Sequence, residues 1–216
     1  MATRILVVRH GRTVWNRENR FRGQADVELD DFGLRQAEAT GQYVASRWPL
    51  AAVYASRLKR AMQTGAAVAH AQGLSVQPHE GLLDMSFGKL QGLTMDEANA
   101  RYADVLKAWL ETPHQIHFPG GEDLDTVRQR VMTGLEDLVC RHRGESVALV
   151  SHTVVIKTLL CAVLGLGNEH FWRIGQDTCA VNAFDAEDGA ADGGGAIYTI
   201  QLINDTSHMC DLSAHA

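Results

Sequence analysis

Five side chains in this sequence fall where chemistry is commonly done. Arg9 and His10 end the apolar run Ile5–Val8, and His152 ends another, "SVALVS" at 146–151. Arg60 follows "AAVYAS" (51–56), in company with Arg57 and Lys59. Asp84 lies in a glycine-bearing loop after "LSVQPH" (74–79). A planar guanidinium offers paired N–H donors that match a phosphate. A neutral imidazole can attack phosphorus and carry the group covalently, and cations on either side favour that neutral form. A second histidine can donate to the oxygens of the group in transit. A carboxylic acid can protonate the oxygen that leaves. Together the set spells phosphoryl transfer through a phosphohistidine, with no metal required. Each residue alone reads as structural, and Arg57 and Lys59 read as solvated charges. The weight lies in their convergence.

Convergence needs a scaffold. Short apolar runs alternate with helical patterns along the chain. Strands are expected at 5–8, 51–56, 74–79 and 146–151, then near 180–185 and 196–203. Leu34, Ala37, Gly41, Val44, Ala45 and Trp48 recur at steps of three and four, so a helix is expected from about Asp31 to Trp48, stopped by Pro49. A second is expected from Leu58 to Gln72, with Ser56 as a plausible N-cap, and one or two at 95–111. The clearest stripe is Leu124, Val127, Val131, Leu135, Leu138 and Val139, in a helix from Asp123 to about Arg141. Another helix is expected at Val154–Leu164. Such alternation implies a largely parallel sheet covered on both faces, with ligands bound beyond the carboxyl ends of the strands. Arg9, His10, Arg60, Asp84 and His152 all satisfy that placement.

The totals narrow the classes. A chain of 216 residues suits one domain with a sizeable core. A net charge of −6 disfavours a nucleic-acid partner. The four cysteines, Cys140, Cys161, Cys179 and Cys210, form no CxxC pair and read as reduced thiols rather than a zinc site. No stretch is apolar enough to span a membrane and no signal-peptide pattern opens the chain, so a cytoplasmic protein is expected. The segment at about 186–195, with "EDGAADGGG", reads as a flexible loop.

The motifs as a set resemble the histidine phosphatase superfamily, the phosphoglycerate mutase-like group. "VVRHGRTVWN" is similar to its signature. "FRGQADVELDDFGLRQA" (21–37), "SRLKRAMQT" (56–64), "LLDMSFGKLQGLT" (82–94), "FPGGEDLDTVRQR" (118–130) and "VALVSH" (147–152) follow in the family's order. The resemblance implies a three-layer α/β/α sandwich with a mostly parallel central sheet, forming one domain over 1–216 with a cap-like insertion at about 90–120. It implies His10 as the phosphorylated nucleophile, Arg9 and Arg60 on the phosphoryl oxygens, and His152 completing the pocket. Asn16, Gln24 and Thr153 would contribute to substrate binding. Gly11 would let the backbone turn close to the phosphate.

Three departures stand out. The family's usual acid is Glu, and here Asp84 stands at that place, one methylene shorter; Glu80 and Glu97 are the fallback donors. Small residues after the second histidine are replaced by Thr153 and Val154. The serine of the PGGES segment is Asp123, which serves equally as a helix N-cap. The expectation is a metal-independent phosphomonoesterase with no cofactor, acting on a small phosphorylated metabolite. It has no nucleic-acid or membrane partner, and a homodimer is possible. The alternatives are a cofactor-dependent phosphoglycerate mutase, disfavoured because "DMSFG" stands where such mutases have "ERHYG", and a weakly active phosphate-binding or regulatory member.

Overall fold

The computed structural model describes residues 1–187 and 196–213. Six strands form one sheet: β1 (Thr3–Arg9), β2 (Ala52–Ala55), β3 (Val76–Pro78), β4 (Ser146–Ser151), β5 (Val181–Glu187) and β6 (Ile197–Asp205). Their order is β3-β2-β4-β1-β5-β6. The first four run parallel, and β5 and β6 add an antiparallel edge beside β1. Pro78 is accommodated because β3 is an edge strand, where a missing N–H costs no central ladder bond.

The helices are α1 (Val14–Arg17), α2 (Asp31–Ala45), α3 (Lys59–His70), α4 (Met95–Glu111), α5 (Leu124–Arg141), α6 (Thr153–Val163) and α7 (Cys210–Ser213). Side chains alternate across a strand, so β1 serves both faces. Leu6 and Val8 pack with Val53, Val150, Val44 of α2 and Val68 of α3. Ile5 and Val7 pack with Leu149, Val131 and Leu135 of α5, and Leu159 of α6. Each such side chain contributes about 1.5–3 kcal/mol when fully buried. The result is the three-layer α/β/α architecture.

The details sharpen several expectations. The buried stripe of α2 is Gly33, Ala37, Thr40, Gly41 and Val44, whereas Leu34 is exposed. That helix ends at Ala45 rather than Trp48. The segment 95–111 is helical on both sides of a kink at Tyr102, where φ is −141°. Asp123 caps α5 by accepting the Thr126 N–H at 2.7 Å. Ser56 does not cap α3. That helix starts at Lys59, whose N–H is met instead by the Asp26 carboxylate at 2.7 Å. Of the expected loop at 186–195, Ala186 and Glu187 belong to β5, and 188–195 lie outside the described residues.

Candidate active site

Register builds the site. In the parallel pair β1–β4, Arg9 lies opposite Ser151, so His10 and His152 occupy equivalent positions one step beyond the strands. The His10 N–H donates to the Ser151 carbonyl at 3.0 Å. Neighbouring strands lie about 4.8 Å apart, and the two imidazole centroids lie 5.2 Å apart. The strand ends therefore bring the two rings side by side, tilted 55° to each other, without further help.

The partners of each ring fix its tautomer. His10 Nδ1 lies 2.7 Å from the Gly11 carbonyl, which only accepts, so Nδ1 carries the proton and Nε2 the lone pair. Arg60 Nε donates to His152 Nδ1 at 3.2 Å, so His152 carries its proton on Nε2. That Nε2–H is buried with no partner among the described residues. Burial, then Arg60, then further cationic neighbours hold both rings well below the usual imidazole range. One neutral ring thus presents a lone pair on Nε2, and the other a donor N–H. Because His152 Nδ1 is an acceptor, its 3.5 Å approach to Asp84 is not an ion pair.

Arg60 is buried, while Arg57 and Lys59 are exposed, so burial sets Arg60 apart from its surface neighbours. Besides His152, Arg60 donates to the carbonyls of Ala25 and Gly23, each at 2.7 Å, and to Asp84 Oδ2 at 3.0 Å. A guanidinium has five N–H groups, and one on Nη1 stays free for a ligand. Arg9 donates through Nη1 to the Gln176 carbonyl at 2.5 Å, and its Nε–H is buried and unpartnered. Burial, then the charge of Arg22, push the Arg9 guanidinium down to about 10, so it remains a cation at neutral pH.

Asp84 sits in this cluster, 5% exposed. Its Oδ1 accepts the Met85 N–H at 2.9 Å. Burial raises its pKa against the pull of Arg60 and Arg22, the condition a proton donor needs. The fallback donors lie elsewhere. Glu80 is exposed beside Arg57. Glu97 closes the capping box of α4 with Thr94, whose N–H holds its carboxyl below the ordinary range.

The remaining expected residues take varied places. Thr153 opens α6, its Oγ1 buried and unpartnered, beside the free N–H groups of the helix start. Asn16 closes a capping box on α1. Its Oδ1 accepts from Thr13, and its NH2 has no partner among the described residues. Gln24 donates to the Asp84 carbonyl at 3.2 Å and so braces the acid loop. Gly11 has a packing requirement of its own: a Cβ there would lie 2.6 Å from the Gly33 carbonyl. Among the described residues no three His, Cys, Asp or Glu side chains group as metal ligands, and no helix is long and apolar enough to cross a membrane. The four cysteines are free thiols.

Three contributors have no counterpart in the sequence reading. Arg22 places a third guanidinium at the site. Gln176 and Asn182 form a buried amide pair, with bonds of 2.8 and 3.0 Å, and Asn182 also donates to the Val7 carbonyl. That pair fixes the carbonyl that holds Arg9. An asparagine between Val181 and Ala183 in an apolar strand was the available signal. A cavity of about 140 Å³ opens beside Asp84, Arg22 and Thr153, walled by Phe87, Trp109 and Trp172.

Comparison with known proteins agrees with this geometry. The model of the histidine phosphatase superfamily (branch 1) matches residues 5–193. Phosphoserine phosphatase 1 of Hydrogenobacter thermophilus is 33% identical over 185 residues, 86% of this chain and 87% of that protein. Bacillus stearothermophilus YhfR superposes with a TM-score of 0.87 at 30% identity, covering 96% of this chain and 100% of that one. The mycobacterial glucosyl-3-phosphoglycerate phosphatase gives 0.87 at 26% identity, covering 95% and 100%. A match spanning most of the sequence, on a shared architecture, makes the chain a member of the histidine phosphatase superfamily, branch 1, the phosphoglycerate mutase-like group.

Proposed function

We propose that the chain is a metal-independent phosphomonoesterase acting on a small phosphorylated metabolite through a phosphohistidine on His10. The observation that carries this reading is the opposite tautomers of His10 and His152. One ring presents a lone pair where a phosphoryl group would sit, and the other an orphaned N–H to its oxygens. In the first step His10 Nε2 bonds to phosphorus, the ester P–O bond breaks, and Asp84 gives its proton to the leaving oxygen. In the second, the Asp84 carboxylate takes a proton from water, the oxygen attacks phosphorus, and the N–P bond breaks to release inorganic phosphate. Arg9, Arg60, His152 and the start of α6 hold the phosphoryl oxygens throughout. Thr153 and the Asn16 amide add donors, and Gln24 steadies the acid loop. Residues 90–120 serve as the cap, with Trp109 in the cavity wall.

The test is phosphate release from a panel of small phosphomonoesters in excess EDTA, by wild type and His10→Ala. We expect turnover that survives chelation and falls at least about 10³-fold in the variant, with acid-labile phosphoenzyme trapped only in wild type. Near-normal hydrolysis by His10→Ala overturns the nucleophile assignment. Interconversion of phosphoglycerates without net phosphate release would identify a mutase. Silence in both assays would favour a binding protein.

A further inference from the structure

Arg22 is the one cation of the site whose charge the mechanism leaves unused. It lines the cavity together with Asp84, and neither Arg9 nor Arg60 is among the lining residues. Its Nε is buried without a partner, and its one hydrogen bond is a long contact of 3.5 Å from Nη1 to the Trp15 carbonyl. Among the described residues no carboxylate forms an ion pair with it. The nearby Arg20, by contrast, is held by Glu18, Glu97 and the Gly92 carbonyl.

The backbone around Arg22 is pinned on both sides. Phe21 exchanges bonds with Leu93 and Gly92, its N–H donating at 2.9 Å and its carbonyl accepting at 2.8 Å. Gly23, at φ +49°, turns its carbonyl onto Arg60. A long side chain rooted between two such anchors is directed rather than loose.

Charge counting then says what Arg22 awaits. Arg9, Arg22 and Arg60 are three cations, and Asp84 is the carboxyl they share. Lys157 and Asp177, which flank Arg9, oppose each other in sign. To act as the acid, Asp84 must enter the reaction protonated. The three guanidinium charges then meet a phosphoryl dianion, and one positive charge is left over. That charge lies on the cavity side, where the alcohol part of the substrate must lie.

We propose that Arg22 is a specificity-determining residue that binds a carboxylate carried by the alcohol portion of the ester. The inference rests on the phosphomonoesterase reading and deepens it. The small cavity and its aromatic wall limit that alcohol to a compact group, and anything larger projects through the mouth.

The experiment compares kcat/KM for O-phosphoserine and for O-phosphoethanolamine, which lacks the carboxylate, in wild type, Arg22→Gln and Arg22→Lys. Circular dichroism confirms folding. A charge-assisted contact of this kind is worth about 10- to 100-fold. The ratio between the two esters should therefore fall about 10-fold or more in Arg22→Gln, mainly through KM, and by less in Arg22→Lys. Parallel losses on both esters would place Arg22 on the phosphoryl group and overturn the proposal, as would no loss on either. Calorimetric binding of O-phosphoserine against inorganic phosphate, in a His10→Ala background, reads the same contact without turnover. A preference for O-phosphoserine that Arg22→Gln abolishes supports the contact even if the hydrolytic reading fails. No preference overturns it.

Discussion

Replacing Asp84 by Asn removes the proton donor while keeping the size of the side chain. The amide keeps the shape, and its oxygen can still accept the Met85 N–H, so the acid loop should hold its course. What is lost is the proton and the 3.0 Å ion pair with Arg60. General acid catalysis is worth about 10²–10⁴-fold, or roughly 2.7–5.4 kcal/mol of barrier. That loss should appear in kcat/KM for an alkyl phosphate, whose leaving oxygen needs the proton. It should shrink below about 10-fold for 4-nitrophenyl phosphate, which departs as a stable anion. The assay is kcat/KM across a series of leaving groups, because this quantity reports the phosphorylation step and not the later hydrolysis. pH adds a second readout. The wild-type rate on alkyl esters should fall as pH rises through the raised Asp84 pKa, and the variant should be flat on that side. Equal losses across the series, with an unchanged pH profile, would refute the acid role. Because the variant leaves Arg60 without its buried counter-charge, added inorganic phosphate should raise its Tm more than that of wild type.

Two further outcomes follow from the geometry. Asn182→Ala leaves the Gln176 amide and the Val7 carbonyl unmet, so urea denaturation should show a loss of about 2–4 kcal/mol, with KM raised because Arg9 loses the carbonyl that steadies it. Acidification should also destabilise the fold. His10 and His152 stay neutral when folded but take up a proton near pH 6.5 once unfolded. Stability is therefore retained above that pH and lost below it, at up to about 1.4 kcal/mol per pH unit for each ring. His79 and His208 add in the same direction, and Asp84, raised in the fold, opposes. Urea midpoints that rise from pH 6.5 to 5 would contradict neutral histidines.

The parts of this molecule legible in its sequence are those set by local pattern. β1 and β4 are continuous apolar runs, and the polar residues after them meet because parallel register puts them side by side. Asp123 could be read as a cap because it reaches only to Thr126. The cap of α3 could not, because Asp26 is 33 positions from the N–H it meets. α1, with 4 residues, and the 3-10 turn at Asn168–Arg173 are too short for periodicity to show. Arg22 was missed for the same non-local reason: Leu93 and Gly92 hold the preceding Phe21, and nothing next to Arg22 in sequence marks it as part of the site.

Arg60 joins four separate stretches of chain: Gly23–Ala25, its own helix, Asp84 and His152. It is a knot in the fold as much as a proposed phosphoryl ligand. Among the described residues no other side chain bonds to all four stretches, so completing the pocket and tying them together coincide. Assembly of the reacting groups and closure of the chain are thereby one event. A phosphate-like ligand bound at that knot then acts as a gauge of folding, since every molecule able to hold it has already brought distant segments together.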